Sequence, residues 1–118
     1  MILAGTYLAV AEGLVLALKA GLDPHKVVEA MSGGAAQSWV LANRSGRMLA
    51  NEYPLGFKVA LHIKDLGIAL DLARESGAVL PVAALVAQLE AGLVATGHAD
   101  DDMSALARAI RVLSGLEA

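Results

Sequence analysis

Six segments of this chain carry apolar residues at helical spacing, and each is bounded by a start or stop signal. The first, Ile2 to Leu18, is apolar on nearly every side, with Glu12 its only charge. It runs to about Ala20 and stops at Gly21, a natural residue just past a helix end. Asp23-Pro24 reads as the cap and first turn of a short second helix that ends at Ser32-Gly33-Gly34. Ser38 caps a third, Trp39 to about Ala50, and Asn51 to Gly56 is a loop. A fourth helix runs from Phe57 or Lys58 to Ser76 and is closed by Gly77. Pro81 opens a fifth that ends at Gly97, and Asp100-Asp101-Asp102 precedes a sixth, Met103 to Ser114, closed by Gly115. No segment alternates with the period of two that a strand needs. The expected fold class is all-α, a six-helix bundle with short connections and mostly antiparallel neighbours.

Composition raises a question that the pattern alone does not. In 118 residues, 57% are hydrophobic and only 18% charged, against about 25% charged in ordinary soluble domains. A single small domain has much surface to cover with polar groups. The chain is therefore expected either to enter a membrane or to bury a large face against something else. Three features of the first segment argue against lipid. Glu12 sits in its middle, where a carboxylate is costly; it is built from Ala and Gly rather than Leu and Ile; and the rest reads as soluble helices. A signal peptide would need a basic start, which is missing, so a cytoplasmic location is expected. A helix apolar all round should be buried all round. Its pattern is already running at Met1 without a capping residue, so it is expected to begin upstream in a longer protein. The 24 alanines favour helix and close helix packing. A net charge of -3 leaves no basic footprint for nucleic acid. The absence of Cys removes disulfides, thiolate zinc sites and thiol nucleophiles.

Catalytic constellations are sparse. His25, His62 and His98 are far apart and lack metal-ligand spacing. The run Asp100-Asp102 lacks the alternation and the Gly turn of a calcium loop; it reads as favourable charge at a helix start. Ser32-Gly33-Gly34-Ala35-Ala36 follows a helix rather than a strand and lacks phosphate-loop spacing. It does feed a helix start near Ser38, where an anion could bind. No metal site is expected.

The fourth helix is the informative one. Val59, Ile63, Leu66, Leu70 and Ala73 form one apolar stripe, and Phe57, Leu61, Ile68 and Leu72 a second. Lys64 follows Phe57 by seven positions, two turns on and about 20° off in direction. It therefore rises from an otherwise apolar face, with Asp65 beside it and Asp71 two turns later. A lysine so placed can snorkel, pair with a carboxylate or bind an anion.

The residues Phe57-x6-Lys64-Asp65-Leu66, with Ala69 following, resemble the C-terminal domain of the β-hydroxyacid dehydrogenases. These include 3-hydroxyisobutyrate dehydrogenase and 2-hydroxy-3-oxopropionate (tartronate semialdehyde) reductase. The likeness spans nearly the whole chain. It takes in Ala11-Glu12-Gly13-Leu14, Lys19-Ala20-Gly21-Leu22-Asp23, Ser32 to Ala36 with Ser38-Trp39, Gly56-Phe57, Gly77, Leu80-Pro81 and Asp102 to Leu106. The run Leu61 to Leu66 and the Ser104-Ala105-Leu106 tail resemble the tartronate semialdehyde branch slightly more. The resemblance implies a helical fold like the 6-phosphogluconate dehydrogenase C-terminal domain, and a role in substrate binding and dimerisation for residues 1–118. It also implies an NAD or NADP cofactor in the full-length enzyme, with Lys64 contacting it and Phe57 and Asp65 lining or ordering the substrate pocket. The family's catalytic lysine, in a KxxN motif, falls upstream of the position matching Met1, as does the Rossmann domain. Lys19, Lys26 and Lys58 do not match that motif. No catalytic residue is therefore assigned within this chain, which is expected to be inactive alone.

Two readings follow. One is the C-terminal domain of an NAD(P)-dependent oxidoreductase interconverting a short 3-hydroxy acid and its semialdehyde, forming at least a dimer. The other is a stand-alone helical oligomerisation or interaction module without catalysis. The Phe57, Lys64 and Asp65 constellation separates them, because an interaction module has no need of a lysine in that face.

Overall fold

A computed structural model describes residues 1–117. Six helices follow one another: α1 (Ile2–Lys19), α2 (Pro24–Met31), α3 (Trp39–Ala50), α4 (Val59–Ser76), α5 (Pro81–Ala95) and α6 (Leu106–Leu113). A single 3₁₀ turn, Met103–Ala105, leads into α6. No strand forms among the described residues, and the architecture is the all-α bundle that the periodicity predicts.

The boundaries follow local chemistry. The Asp23 carboxylate accepts from the His25 N–H at 3.0 Å and the Lys26 N–H at 3.4 Å, capping α2. Ser38 Oγ accepts from the Leu41 N–H at 3.0 Å and does the same for α3. Gly77 takes a φ of +82° at the end of α4, where a side chain would be strained. Three ends differ from expectation. α4 begins at Val59 because Lys58 is extended. The N–H groups of Val59 and Ala60, which a helix start leaves without partners, instead donate to Asp101 O (2.9 Å) and Ala99 O (3.0 Å). α5 ends at Ala95, two residues before Gly97. The sixth helix opens with the 3₁₀ turn because Asp102 fixes its first N–H groups.

The core is assembled around α1, which packs against α2, α3, α5 and α6. Its buried side carries Ala4, Tyr7, Leu8, Ala11, Leu14 and Val15. The alanines at 4 and 11 are fully covered, so the crossing helices approach its backbone closely. Leu14, Met48, Leu66, Met103 and Leu106 fill the centre. α1 is the one described helix long and apolar enough to cross a membrane, yet this whole side of it belongs to the bundle core. Its other side corrects the expectation of burial all round: Ile2 is 84% and Leu16 68% exposed. In this chain the helix is one-sided in packing though not in composition.

α4 and α5 form an antiparallel pair, since the start of α4 meets the end of α5 through His62 and Glu90. Opposite them, the chain before α4 is tied to the 3₁₀ turn by Asp102, which is fully buried. Its Oδ1 accepts from the Phe57 N–H at 2.9 Å and its Oδ2 from the Ser104 N–H at 3.0 Å. Arg44 Nε and Arg47 Nη1, both from α3, lie 3.4 and 3.6 Å from Oδ2. Arg47 Nη1 also donates to Pro54 O at 3.1 Å, holding the loop after α3. Met103 N–H donates to Phe57 O at 2.8 Å, closing the tie from the other side. In that loop the Tyr53 hydroxyl donates to Asn51 Oδ1 at 2.8 Å; burial pushes its pKa up to about 12, so it stays a donor. The acidic run thus serves the helix start as expected, but Asp102 is also a buried anchor for α3 and for the entry to α4.

Burial alone would raise the Asp102 pKa, but hydrogen bonding from Ser104 and the Phe57 N–H, with Arg44 nearby, holds it below its ordinary value. Its stabilising contribution is therefore complete above the unfolded value of 3.8 and is lost as the pH falls through the lower folded one. At neutral pH, Asp102→Ala should reduce the unfolding free energy by about 3 kcal/mol, the low end for breaking a buried pair whose arginines keep some solvent. In urea titrations, the midpoint gap between the parent chain and Asp102→Asn should narrow as the pH is taken from about 5 to about 2.

Candidate functional site

The solvent-facing side of α4 gathers the residues singled out in the sequence. At about 100° per residue, Leu61, Lys64, Asp65, Ile68 and Leu72 fall within an arc of roughly 100°, and all five are exposed. The opposite stripe is in the core: Val59, Leu66 and Ala73 are buried, and Ile63 and Leu70 half-buried. α4 thus has two apolar sides, of which the bundle uses one. The structure brings Lys64 and Asp65 to the unused side, with apolar neighbours as expected. Those neighbours are themselves exposed, with Leu61 at 49% and Ile68 at 61%, so in this chain Lys64 is solvated rather than set in an apolar medium. Among the described residues no ion pair involves Lys64; Asp71 pairs with Arg74 at 3.1 Å instead.

Phe57 stands just before the helix. Both its backbone polar groups are held, the N–H by Asp102 and the carbonyl by Met103. The residue is 39% exposed, and its ring meets the His62 ring edge-on, with centroids 5.9 Å apart and planes at 74°. Gly56 permits this placement. A Cβ there would stand 2.6 Å from Asp102 Oδ1, nearer than any real contact allows.

Beneath this face lies a polar pair that periodicity did not reveal. His62 Nδ1 bonds Glu90 Oε1 across the α4–α5 seam, and both side chains are buried. A signal for it was present. His62 falls on the core side with Val59 and Leu66, and Glu90 occupies the core side of α5 with Ala83, Val86 and Leu93. Two residues of complementary polarity on facing core stripes are a pairing signal; read as separate histidines and glutamates they are silent.

The remaining candidates are dispersed. His25 is exposed in the first turn of α2, and His98 Nδ1 lies 3.2 Å from Asp101. Asp100 faces Lys58 at 3.5 Å, and Asp101 also faces Arg108 at 3.6 Å. Among the described residues no three His, Asp or Glu side chains come together as a metal site would require. An apolar cleft of about 370 Å³ between α5 and α6, walled by Leu93, Ala109 and Val112, includes none of Phe57, Lys64 or Asp65. The candidate site is an open, exposed face rather than a closed pocket.

Residues 1–110 match the family described as NAD-binding of NADP-dependent 3-hydroxyisobutyrate dehydrogenase. An uncharacterized oxidoreductase of Shewanella frigidimarina is 50% identical over 107 residues, which cover 90% of this chain and 37% of that protein. The 2-hydroxy-3-oxopropionate reductase of Escherichia coli is 40% identical over 106 residues, covering 90% of this chain and 36% of the relative. Among solved structures, 3-hydroxyisobutyrate dehydrogenase of Mycobacterium tuberculosis, determined with L-serine, superposes with a TM-score of 0.81 at 32% identity. That match covers 94% of this chain and 40% of the other. The chain spans little more than a third of the length of the relatives it matches.

The Gly56 geometry yields a direct test. Gly56→Ala should destabilise the fold by about 1–3 kcal/mol, as forced overpacking does, because the added methyl meets the buried Asp102 carboxylate. Thermal unfolding reads the loss. Gly67→Ala, at a position with open space around a Cβ, should cost nothing and serves as control.

Proposed function

The chain belongs to the NAD-binding family of NADP-dependent 3-hydroxyisobutyrate dehydrogenase, and from that premise we propose that it is the C-terminal helical domain of an NAD(P)-dependent oxidoreductase. The whole enzyme interconverts a short 3-hydroxy acid and its semialdehyde, of the 3-hydroxyisobutyrate or tartronate semialdehyde type. The observation that carries this reading is the second face of α4. The bundle is complete without it, yet it presents Lys64 and Asp65 among exposed apolar side chains, with Phe57 at its head.

The residues fit the groups they would meet. Lys64 is a cation without a partner among the described residues, on an apolar ground; it can hold a polar or anionic group of a nicotinamide cofactor arriving from a facing domain. Closure of that domain would remove water around Leu61 and Ile68 and strengthen the contact. Phe57 offers a fixed aromatic wall for the substrate. Asp65, one residue on from Lys64, orders the polar end of the same pocket. The cofactor, when bound, supplies or accepts the hydride. The proton at the carbonyl oxygen requires a general acid, which we assign to a lysine outside residues 1–118. The exposed side of α1, with Ile2 and Leu16, supplies a surface for a second copy of the chain. A cytoplasmic location accords with this reading.

Fusing residues 1–118 behind the nucleotide-binding part of the Escherichia coli reductase tests the reading. The fusion should oxidise NAD(P)H with tartronate semialdehyde, while the chain alone should show no turnover. A folded but inactive fusion would favour the interaction-module alternative. In the active fusion, Lys64→Ala should raise the cofactor KM by roughly tenfold, the scale of one lost charged hydrogen bond; an unchanged KM removes Lys64 from the site. Light scattering of the chain at concentrations well above micromolar should give a multiple of 12.1 kDa. A mass of one chain would end the dimer proposal.

A further inference from the structure

We propose that His62 and Glu90 are positioning residues that set the ring of Phe57 at the head of the α4 face, and so act on substrate binding without touching substrate. This rests on the reading of Phe57 given above. Three observations carry it.

First, the pair is isolated in the core. The His62 side chain is 4% and that of Glu90 0% exposed, and His62 Nε2 and Glu90 Oε2 have no partner among the described residues. Leaving two polar atoms without partners in an apolar interior is costly. Well-packed apolar residues commonly do as well or better at such a seam. Bundle stability therefore gives no reason for the pair.

Second, the bond fixes more than the helix spacing. With Nδ1 directed at Glu90, the imidazole cannot turn about χ2, and its plane is set. Third, the neighbour that this plane serves is Phe57, whose ring meets it edge-on at 5.9 Å. Asp102 holds the Phe57 backbone, but a held backbone leaves χ1 and χ2 free to choose among rotamers. The oriented imidazole selects one, through the edge-to-face preference of aromatic rings. Phe57 is thus held at two points, its main chain from Asp102 and the 3₁₀ turn and its ring from His62 of α4, which Glu90 of α5 orients.

Nuclear magnetic resonance on the 118-residue chain tests this directly. The parent should show cross-relaxation between the Phe57 and His62 rings. Glu90→Gln keeps an acceptor for Nδ1 and should retain it; Glu90→Leu removes the acceptor and should lose it, with Lys64 and Asp65 backbone signals unmoved. Persistence of the ring contact in Glu90→Leu overturns the proposal. If Glu90→Leu does not fold, His62→Gln decides: it keeps a donor for Glu90 but removes the ring. Phe57 ring shifts should then move toward those of an unstructured chain, and unchanged shifts overturn the proposal. In the active fusion, Glu90→Leu should raise the substrate KM roughly tenfold, as a misplaced contact group does, with the cofactor KM unchanged and Glu90→Gln near parent. Equal changes in both constants would mark the pair as merely structural. An inactive fusion would count against the functional reading alone, since the resonance experiment stands without it.

Discussion

The arrangement of this domain depends on a buried carboxylate. Asp102 comes from the loop before α6, yet its bonds reach α3 through Arg44 and Arg47 and the entry to α4 through the Phe57 N–H. Without those partners, burial would make an ionised Asp untenable. With them, the charge is shared between hydrogen bonds from the Phe57 and Ser104 N–H groups and ion pairs with Arg44 and Arg47, and these segments must meet for the charge to be satisfied. Gly56 is part of the same constraint, because only a residue without a Cβ lets the backbone approach the carboxylate so closely. The entry to α4 is set by this cluster and the loop beside it as much as by its own propensity.

From that anchor, α4 works as a two-sided element. One side, with Val59, Leu66 and Ala73, packs into the core; the other leaves Leu61, Ile68 and Leu72 exposed around Lys64. These exposed apolar residues are the ground on which the proposed function gives this face an opposing surface. The same logic applies to α1, buried on one side and bare on the other. The greasy composition is thus shared between a core that this chain fills and faces that it does not cover.

Much of the fold was legible along the chain because helix signals are local. Asp23-Pro24, Ser38, Gly77 and Pro81 act on the backbone within a turn of themselves, so their effect could be read from spacing alone. The candidate site was legible in part. Lys64 stood out through its angular position, with Asp65 beside it, and the structure places both on one exposed face. His62, Glu90 and Arg44 were not legible. Each is an ordinary polar residue in its own segment and gains its role only from a partner at least 28 residues away. The start of α4 was misplaced by one or two residues for the same reason: its first N–H groups are taken by the loop at 99–101.

The sequence by itself determined the class of fold, the number and order of helices, and which side of α4 carries unusual charge. These follow from periodicity and capping, which are properties of neighbours in the chain. Only the tertiary structure decided that Asp102 is a buried anchor rather than a solvated cap, that His62 faces Glu90 beneath Phe57, and that α1 leaves one side bare. Each of these is a matter of desolvation. Whether a polar group is stripped of water, and what replaces that water, is fixed by which distant segments arrive beside it, and spacing along a chain carries no record of that arrival.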